Sequence, residues 1–382
     1  MKQQVMDYID QSRDEMLALW EEFVNVESAK DHKAGIDSLI SKVEEILQAE
    51  NFQTRVISYE KAGNAVVAEF GDVEKEKPII FIGHVDTVFP KGFLADHPFQ
   101  IKDGIAYGPG ILDMKGGVVS ILYAVKALRA ANFDTYPLKV MIVGDEESAH
   151  VDSDAKNMLL EESKNGAFAF NTETGNLENN LSIGRAGGSI FELEVYGVAS
   201  HTGIDWKSGR NAIIELSNKM IEIDAASNHE AGYTYNVTLV EGGSAPNTTP
   251  DYAKASIGTR CQTKAQQEMM HQKLEEISAK TFIEGTKTTL TYLGGFDPME
   301  VSDKNRALFE VVKKTAIELG MDEPNAVVSK GSSDSAYSQS AGVPTVCSLG
   351  PVGDGNHTPH EYAIVETLFE RCKLLAVTVL NV

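Results

Sequence analysis

Two histidines and a series of carboxylates stand along this chain just past short apolar runs. His84 and Asp86 sit in G-H-V-D-T-V, directly after Ile79–Ile82. One imidazole nitrogen there can ligate a metal while a carboxylate orients the ring through the other. Asp113 lies in G-P-G-I-L-D-M-K-G-G. That glycine-rich run is not a dinucleotide or phosphate loop, because Asp113 stands where the third glycine of G-x-G-x-x-G belongs and no G-K-[ST] follows. Glu146-Glu147 follows Leu138–Val143, and adjacent carboxylates repel unless something positive lies near them. Glu173 comes in N-T-E-T-G after Ala167–Phe170, and His357 in G-N-H-T-P-H-E-Y after Pro344–Leu349. Taken singly, each has a plainer use: a capped loop, a helix N-cap, a surface acidic pair. Taken together they form a series of His, Asp, Glu-Glu, Glu and His.

The elements that must position these groups read as follows. Val5, Ile9, Met16, Leu19, Trp20 and Phe23 recur at helical spacing, and Ile36 to Leu47 forms a second helical face. Short strands are expected at Ala65–Phe70, Ile79–Ile82, Leu138–Val143, Ala167–Phe170 and Pro344–Leu349. Helices are expected over 117–130, 308–319 and 364–380. Strands alternating with helices predict a mixed, mostly parallel α/β sheet, and in such sheets ligands gather beyond the carboxyl ends of the strands. Between them, strands near 190–195, 233–240, 253–259 and 287–293 alternate with helices at 209–225 and 266–280, in the order β-α-β-β-α-β. That order predicts a ferredoxin-like α+β insertion. The expected division is 1–185 with 296–382 for the main domain and 186–295 for the insertion.

With these motifs in order, the chain resembles the M20 family of metallopeptidases and amidohydrolases, and within it the glutamate carboxypeptidase branch of the carboxypeptidase G2 type. The resemblance runs over essentially the whole length. It implies a zinc-exopeptidase-like catalytic domain interrupted by a lid and dimerisation domain. It implies two zinc ions, with cobalt or manganese as alternatives. His84 and Glu173 would hold one ion, Glu147 and His357 the other, and Asp113 would bridge them, with a cis peptide after it. Glu178 is the fallback for Glu173. Asp86 would support His84, and Glu146 would act as general base. A-S-H-T-G at 199–203 resembles the family's lid motif, which makes His201 an oxyanion donor. Arg260 matches the arginine that grips a substrate carboxylate, and Asn247 a polar contact near it. Gly331-Ser332-Ser333-Asp334 resembles the family's G-G-T-D loop, with serine at the second and third positions.

The implied reaction is hydrolysis of an amide or peptide bond that releases an amino acid with a free carboxylate. Alternatives on the same centre are an aminoacylase, a deacetylase or desuccinylase, and a di- or tripeptidase. A non-catalytic binding protein on this fold is the rival of another class. Substrates are expected to be small peptides or N-acyl amino acids, with a homodimer formed through the insertion. A serine hydrolase and a one-zinc H-E-x-x-H enzyme are disfavoured, since neither G-x-S-x-G nor H-E-x-x-H occurs.

Composition excludes other classes. In 382 residues, 34 basic minus 56 acidic side chains leave −22, which repels phosphate backbones and anionic lipid, so neither nucleic acid nor membrane is an expected partner. The 42% hydrophobic content is that of a folded globular protein. Three cysteines without a C-x-x-C pair suggest neither a disulfide framework nor a thiolate zinc site. The opening M-K-Q-Q-V-M-D-Y-I-D lacks the apolar core of a secretory signal, and a cytoplasmic location is expected.

Overall fold

The computed structural model describes residues 1–382, and the apolar runs at 79–82 and 138–143 emerge in it as neighbouring parallel strands. Contacts divide the chain into two compact units. One comprises Met1–Gly184, Val301–Ser329 and Ser333–Val382, and the other Arg185–Glu300 and Lys330–Ser332.

The first unit is built on a six-stranded sheet in the order Gln53–Ile57, Ala65–Phe70, Leu138–Val143, Ile79–His84, Phe168–Asn171, Thr345–Val346. Each of the first three strands runs antiparallel to its neighbour among them, and the last four run parallel. Every residue of Ile79–His84 and Leu138–Val143 is buried, as expected of strands covered on both faces. Register then does the positioning. His84 pairs with Val143, and Ile82 with Asn171, so the chain leaves three parallel strands at one edge and delivers His84, Glu146-Glu147 and Glu173 there. Helix Gly116–Ala130 packs on this sheet and is buried along nearly its whole length. Its start comes close to the strand exit: a Cβ on Gly117 would fall 2.0 Å from the Thr172 carbonyl oxygen, so only glycine permits this approach.

A smaller five-stranded sheet runs in the order Gln100–Lys102, Ile105–Tyr107, Tyr362–Ile364, Val352–Asp354, Gly175–Asn176. It carries the loop that bears His357. None of its strands exceeds three residues, too short for a periodic signal, and the sequence reading did not anticipate it. Strand Gln53–Ile57 was also unanticipated. The strand expected over Pro344–Leu349 is confined to Thr345–Val346. Cys347 turns to bridge Ser182, and Ser348 adopts a left-handed φ of 67° that ends the extended run.

The second unit holds a four-stranded antiparallel sheet in the order Thr234–Gly242, Tyr252–Arg260, Gly188–Tyr196, Lys287–Phe296. Helices Ala212–Ala225 and Lys264–Ala279 complete the ferredoxin-like β-α-β-β-α-β order. Burial alternates along Tyr252–Arg260, and Leu193, Val195, Ala255 and Ile257 meet Leu216, Met270, Leu274 and Ile277 in one core. The helix starts are written locally. The Asn211 side chain accepts from the Ile214 N–H, and Thr263 with Gln266 forms a capping box. No helix of the protein is long and apolar enough to cross a membrane.

Candidate metal centre

His84 is the last residue of its strand, and its ring is buried. Its Nδ1 lies 3.1 Å from the Asp86 carbonyl oxygen and 3.3 Å from Asp86 Oδ1. That leaves Nε2 facing inward, toward Asp113 Oδ1 at 3.4 Å, Glu173 Oε1 at 3.7 Å and Glu146 Oε2 at 4.0 Å. Nε2 is buried and has no hydrogen-bond partner.

Asp113 lies in the turn between Ile105–Tyr107 and helix Gly116–Ala130, and its peptide bond to Met114 is cis. The turn is held from three sides. Trp20 Nε1 donates to the Ile111 carbonyl at 3.0 Å, and Asn356 Nδ2 to Asp113 Oδ2 at 3.2 Å. The buried Glu361 carboxylate accepts from the N–H groups of Gly110, Leu112 and Asp113, at 3.2, 2.8 and 2.9 Å. The second oxygen of Asp113 faces the other histidine: Oδ2 is 3.2 Å from His357 Nε2, which in turn lies 3.4 Å from Glu147 Oε2.

Seven predicted residues, His84, Asp86, Asp113, Glu146, Glu147, Glu173 and His357, are thus brought together. The candidate ligand atoms of His84, Asp113 and Glu173 all lie within 4.8 Å of one another, as do those of Asp113, Glu147 and His357. Asp113 belongs to both groups and Glu146 to neither. Glu178, the fallback for Glu173, is exposed on the turn before Asn180–Arg185. Asp86 does more than orient His84: its Oδ1 and Oδ2 accept from the backbone N–H groups of Glu146 and Glu147, at 3.2 and 2.9 Å.

The electrostatics are those of crowded, buried charge. Burial pushes the Glu146 and Glu147 carboxyls up, and neighbouring carboxylates add to this. Burial also opposes the charged form of Asp113, but the two imidazoles beside it win and hold it well below the usual carboxylate range. His84 would be lowered by burial, yet Asp113, Asp86 and Glu146 raise it well above the ordinary histidine value. Half-exposed His357, between Asp113 and Glu147, is raised to about 10. Glu361 is pushed up to about 8 by burial and the Asp113 charge, against its three N–H donors. Two imidazoles facing four carboxylates form a donor set suited to divalent cations, and a buried imidazole nitrogen without a hydrogen bond is what such a site leaves for a metal.

A family model described as peptidase family M20/M25/M40 matches residues 80–381. The chain belongs to this family. It is therefore a metal-dependent hydrolase. Carboxypeptidase G2 of Pseudomonas sp. (strain RS-16) is 27% identical over 93% of this chain and 86% of its own. Succinyl-diaminopimelate desuccinylase of Anaplasma marginale (strain Florida) is 26% identical over 83% of this chain and 84% of its own. Among solved structures, aminopeptidase PepT from Bacillus cereus superposes with a TM-score of 0.77 at 19% identity, covering 96% of this chain and 98% of its own. That likeness shows the fold.

The three remaining predicted residues of this M20 chain lie in the second unit. His201 is exposed, and its Nδ1 accepts from the N–H groups of Gly203 and Ile204 at 3.1 and 3.2 Å. Its ring proton therefore sits on Nε2. The Asn247 carbonyl accepts from Thr202 N–H and Oγ1, tying the two loops together. Arg260 is exposed at the end of its strand, and its Nη1 donates to the Thr259 carbonyl at 2.8 Å.

Two features escaped the sequence reading. One is Glu361, whose only signal is its place four residues after His357. The other is a buried relay beside Glu146, in which His150 Nδ1 meets Asp145 Oδ1 at 2.8 Å and His150 Nε2 meets Asp334 Oδ1 at 2.7 Å. Asp334 belongs to the G-S-S-D loop, 184 residues away in sequence, so no local spacing could reveal the pair.

Proposed function

We propose that this M20 enzyme is a two-zinc hydrolase that cleaves an amide or peptide bond and releases an amino acid with a free carboxylate, in the manner of a glutamate carboxypeptidase. The observation that carries the reading is the split carboxylate of Asp113, with one oxygen toward His84 and the other toward His357. His84 and Glu173 would hold one ion, Glu147 and His357 the other, with Asp113 shared. Cobalt or manganese would suit the same carboxylate-rich donors. When bound, the ions would lower the pKa of a water between them and polarise the substrate carbonyl.

The chain's own groups supply the rest. Glu146, in neither ligand group and within 4.0 Å of His84, is the general base: it takes the water's proton and passes it to the leaving nitrogen. Asp86 holds the backbone of Glu146 and Glu147 in place. His201 offers its Nε2–H to the developing oxyanion. Arg260, a planar fork, grips the carboxylate of the released amino acid, with Asn247 beside it.

The second unit is proposed as lid and dimerisation domain. Ile221 on helix Ala212–Ala225 is 69% exposed, and Leu239 on the edge strand Thr234–Gly242 is 65% exposed; this apolar edge favours a homodimer, which sedimentation would detect. Three free, buried cysteines suit a reducing cytoplasm.

The test is hydrolysis of N-acyl and peptidyl glutamates, N-acetyl and N-succinyl amino acids and simple dipeptides, with zinc added or chelated. Chelator-sensitive release of glutamate is expected. Preferential cleavage of N-succinyl substrates would move the reading to a desuccinylase, which the curated relatives also support. A metal-loaded protein inert to the whole panel would overturn it.

A further inference from the structure

Ala149 and His150 are successive residues with left-handed φ, 53° and 56°, directly after the Glu146–Ser148 turn. Residues with a Cβ visit that region singly and at a cost, so a consecutive pair persists only where its surroundings fix it. The His150 side chain does part of the fixing. It is buried between two carboxylates, with Asp145 Oδ1 2.8 Å from Nδ1 and Asp334 Oδ1 2.7 Å from Nε2. An ionised carboxylate only accepts, so both ring nitrogens donate.

Each of these contacts leads to a helix start. The second oxygen of Asp145 takes the Ser153 hydroxyl, whose Oγ accepts the Ala155 N–H at 3.1 Å where helix Ala155–Ser163 begins. Asp334 stands immediately before helix Ser335–Ser340. The backbone closes the same loop, since the Asp145 carbonyl accepts the His150 N–H at 3.2 Å and the Glu146 carbonyl accepts the Ala149 N–H at 2.7 Å. Glu146 and Glu147 thus lie within a loop, 145–150, whose first and last residues are joined by the His150 ring. Asp86 supports that loop at the N–H groups of the two glutamates, whereas His150 supports it at its ends.

Stability alone does not account for this arrangement. It buries two carboxylates against one imidazole, and Asp334 Oδ2 is buried with no hydrogen-bond partner. Glycine at position 150 would take the same φ without strain, and apolar groups in place of the aspartates would be buried at less cost. Glycine could not hold Asp145, the residue before Glu146, to Asp334. We propose that His150 is a positioning residue for the hydrolysis, which acts through Asp145 and Asp334 to fix the loop that aims the Glu146 carboxylate. This rests on the reading of Glu146 as general base.

Steady-state kinetics of the full-length metal-loaded protein, expressed per folded chain, test it on the substrate that the panel identifies. His150→Gly should keep its metal content and KM and lose about 10–100-fold in kcat, the range for groups that act behind an active site's ligands. Imidazole at about 10 mM, enough for a millimolar site, should recover most of that loss without accelerating the wild type. N-methylimidazole carries at most one N–H and should not. Hydrogen exchange gives a readout apart from activity: peptides covering 144–151 should exchange faster in the variant and slow again with imidazole. Asp334→Ala leaves the His150–Asp145 pair whole and carries the test if the glycine variant does not fold; its kcat should fall about tenfold or more, with no rescue by imidazole. An unchanged kcat in the variant that folds, a loss confined to KM or to metal content, or equal rescue by N-methylimidazole overturns the proposal. Glu146→Gln, measured alongside, separates this from the reading beneath it. If that variant stays active, the general-base assignment fails and the positioning role falls with it; if it is inactive while the His150 and Asp334 variants keep their kcat, only the positioning role fails.

Discussion

Asp113 Oδ1 lies 3.4 Å from His84 Nε2, a buried nitrogen that has no hydrogen-bond partner. The other oxygen of the same carboxylate lies 3.2 Å from His357 Nε2. One side chain therefore spans two donor groups, and removing its charge tests both at once. Asp113→Asn keeps the volume and loses the anion. Elemental analysis should find fewer than two metal ions per chain, and kcat/KM should fall about 100-fold or more, since even partners behind the ligands cost 10–100-fold. Two tightly held ions in this variant would refute the bridging assignment.

Asp86 receives the N–H groups of Glu146 and Glu147 on its two oxygens. In Asp86→Asn an amide NH₂ must face one of those donors, so the turn bearing both glutamates loses its anchor. Metal content should stay at two ions while kcat falls roughly 10–100-fold. An unchanged kcat would show that the His84 contact is all Asp86 provides.

Glu146 stands in neither ligand group, and burial raises its carboxyl pKa. Glu146→Gln should retain both ions and lose about 10²–10⁴-fold in kcat, the range attributed to a positioned acid–base group. Metal loss on that substitution, read by elemental analysis of the dialysed protein, would move Glu146 into the ligand set.

The parts of this molecule legible in its sequence are those written locally. Ile79–Ile82 and Leu138–Val143 are continuous apolar runs, the mark of strands buried on both faces, and their ends announce His84 and Glu146-Glu147. The β-α-β-β-α-β order of the second unit was readable because each of its strands spans at least nine residues. What stayed hidden depends on distant pairing. The His357 loop rides on strands of three residues, whose order only the folded sheet determines. Glu361 reads as one more acidic residue in a −22 chain until the N–H groups of Gly110, Leu112 and Asp113 are seen to converge on it.

Arg260 ends strand Tyr252–Arg260 with its guanidinium exposed and only the Thr259 carbonyl bonded to it. Its remaining N–H groups are available to a carboxylate. If they hold the released amino acid, Arg260→Met should raise KM about 10–100-fold, the worth of a charge-assisted hydrogen-bond pair, with metal content unchanged. Arg260→Lys should recover only part of this, because a point charge does not reproduce the fork. Steady-state kinetics on the substrate identified by the panel decide it, and an unaltered KM in both variants would remove Arg260 from the substrate site.

His150, in neither ligand group, offers a pH test. Both ring nitrogens face carboxylates, Asp145 at 2.8 Å and Asp334 at 2.7 Å, so both must donate and the ring is an imidazolium. Burial works against that charge, but the two aspartates raise the pKa to about 10. In the unfolded chain the value returns to about 6.5. The folded state thus binds the extra proton, and this stabilisation is fully present below about pH 6.5 and disappears as pH rises through the folded value, at a slope of about 1 kcal/mol per pH unit. Denaturant midpoints at about pH 6.5 and about pH 9 should show the wild type weakening with pH more steeply than His150→Asn, which carries no proton to lose. Parallel pH profiles for the two proteins would mean that the ring is already neutral between its aspartates.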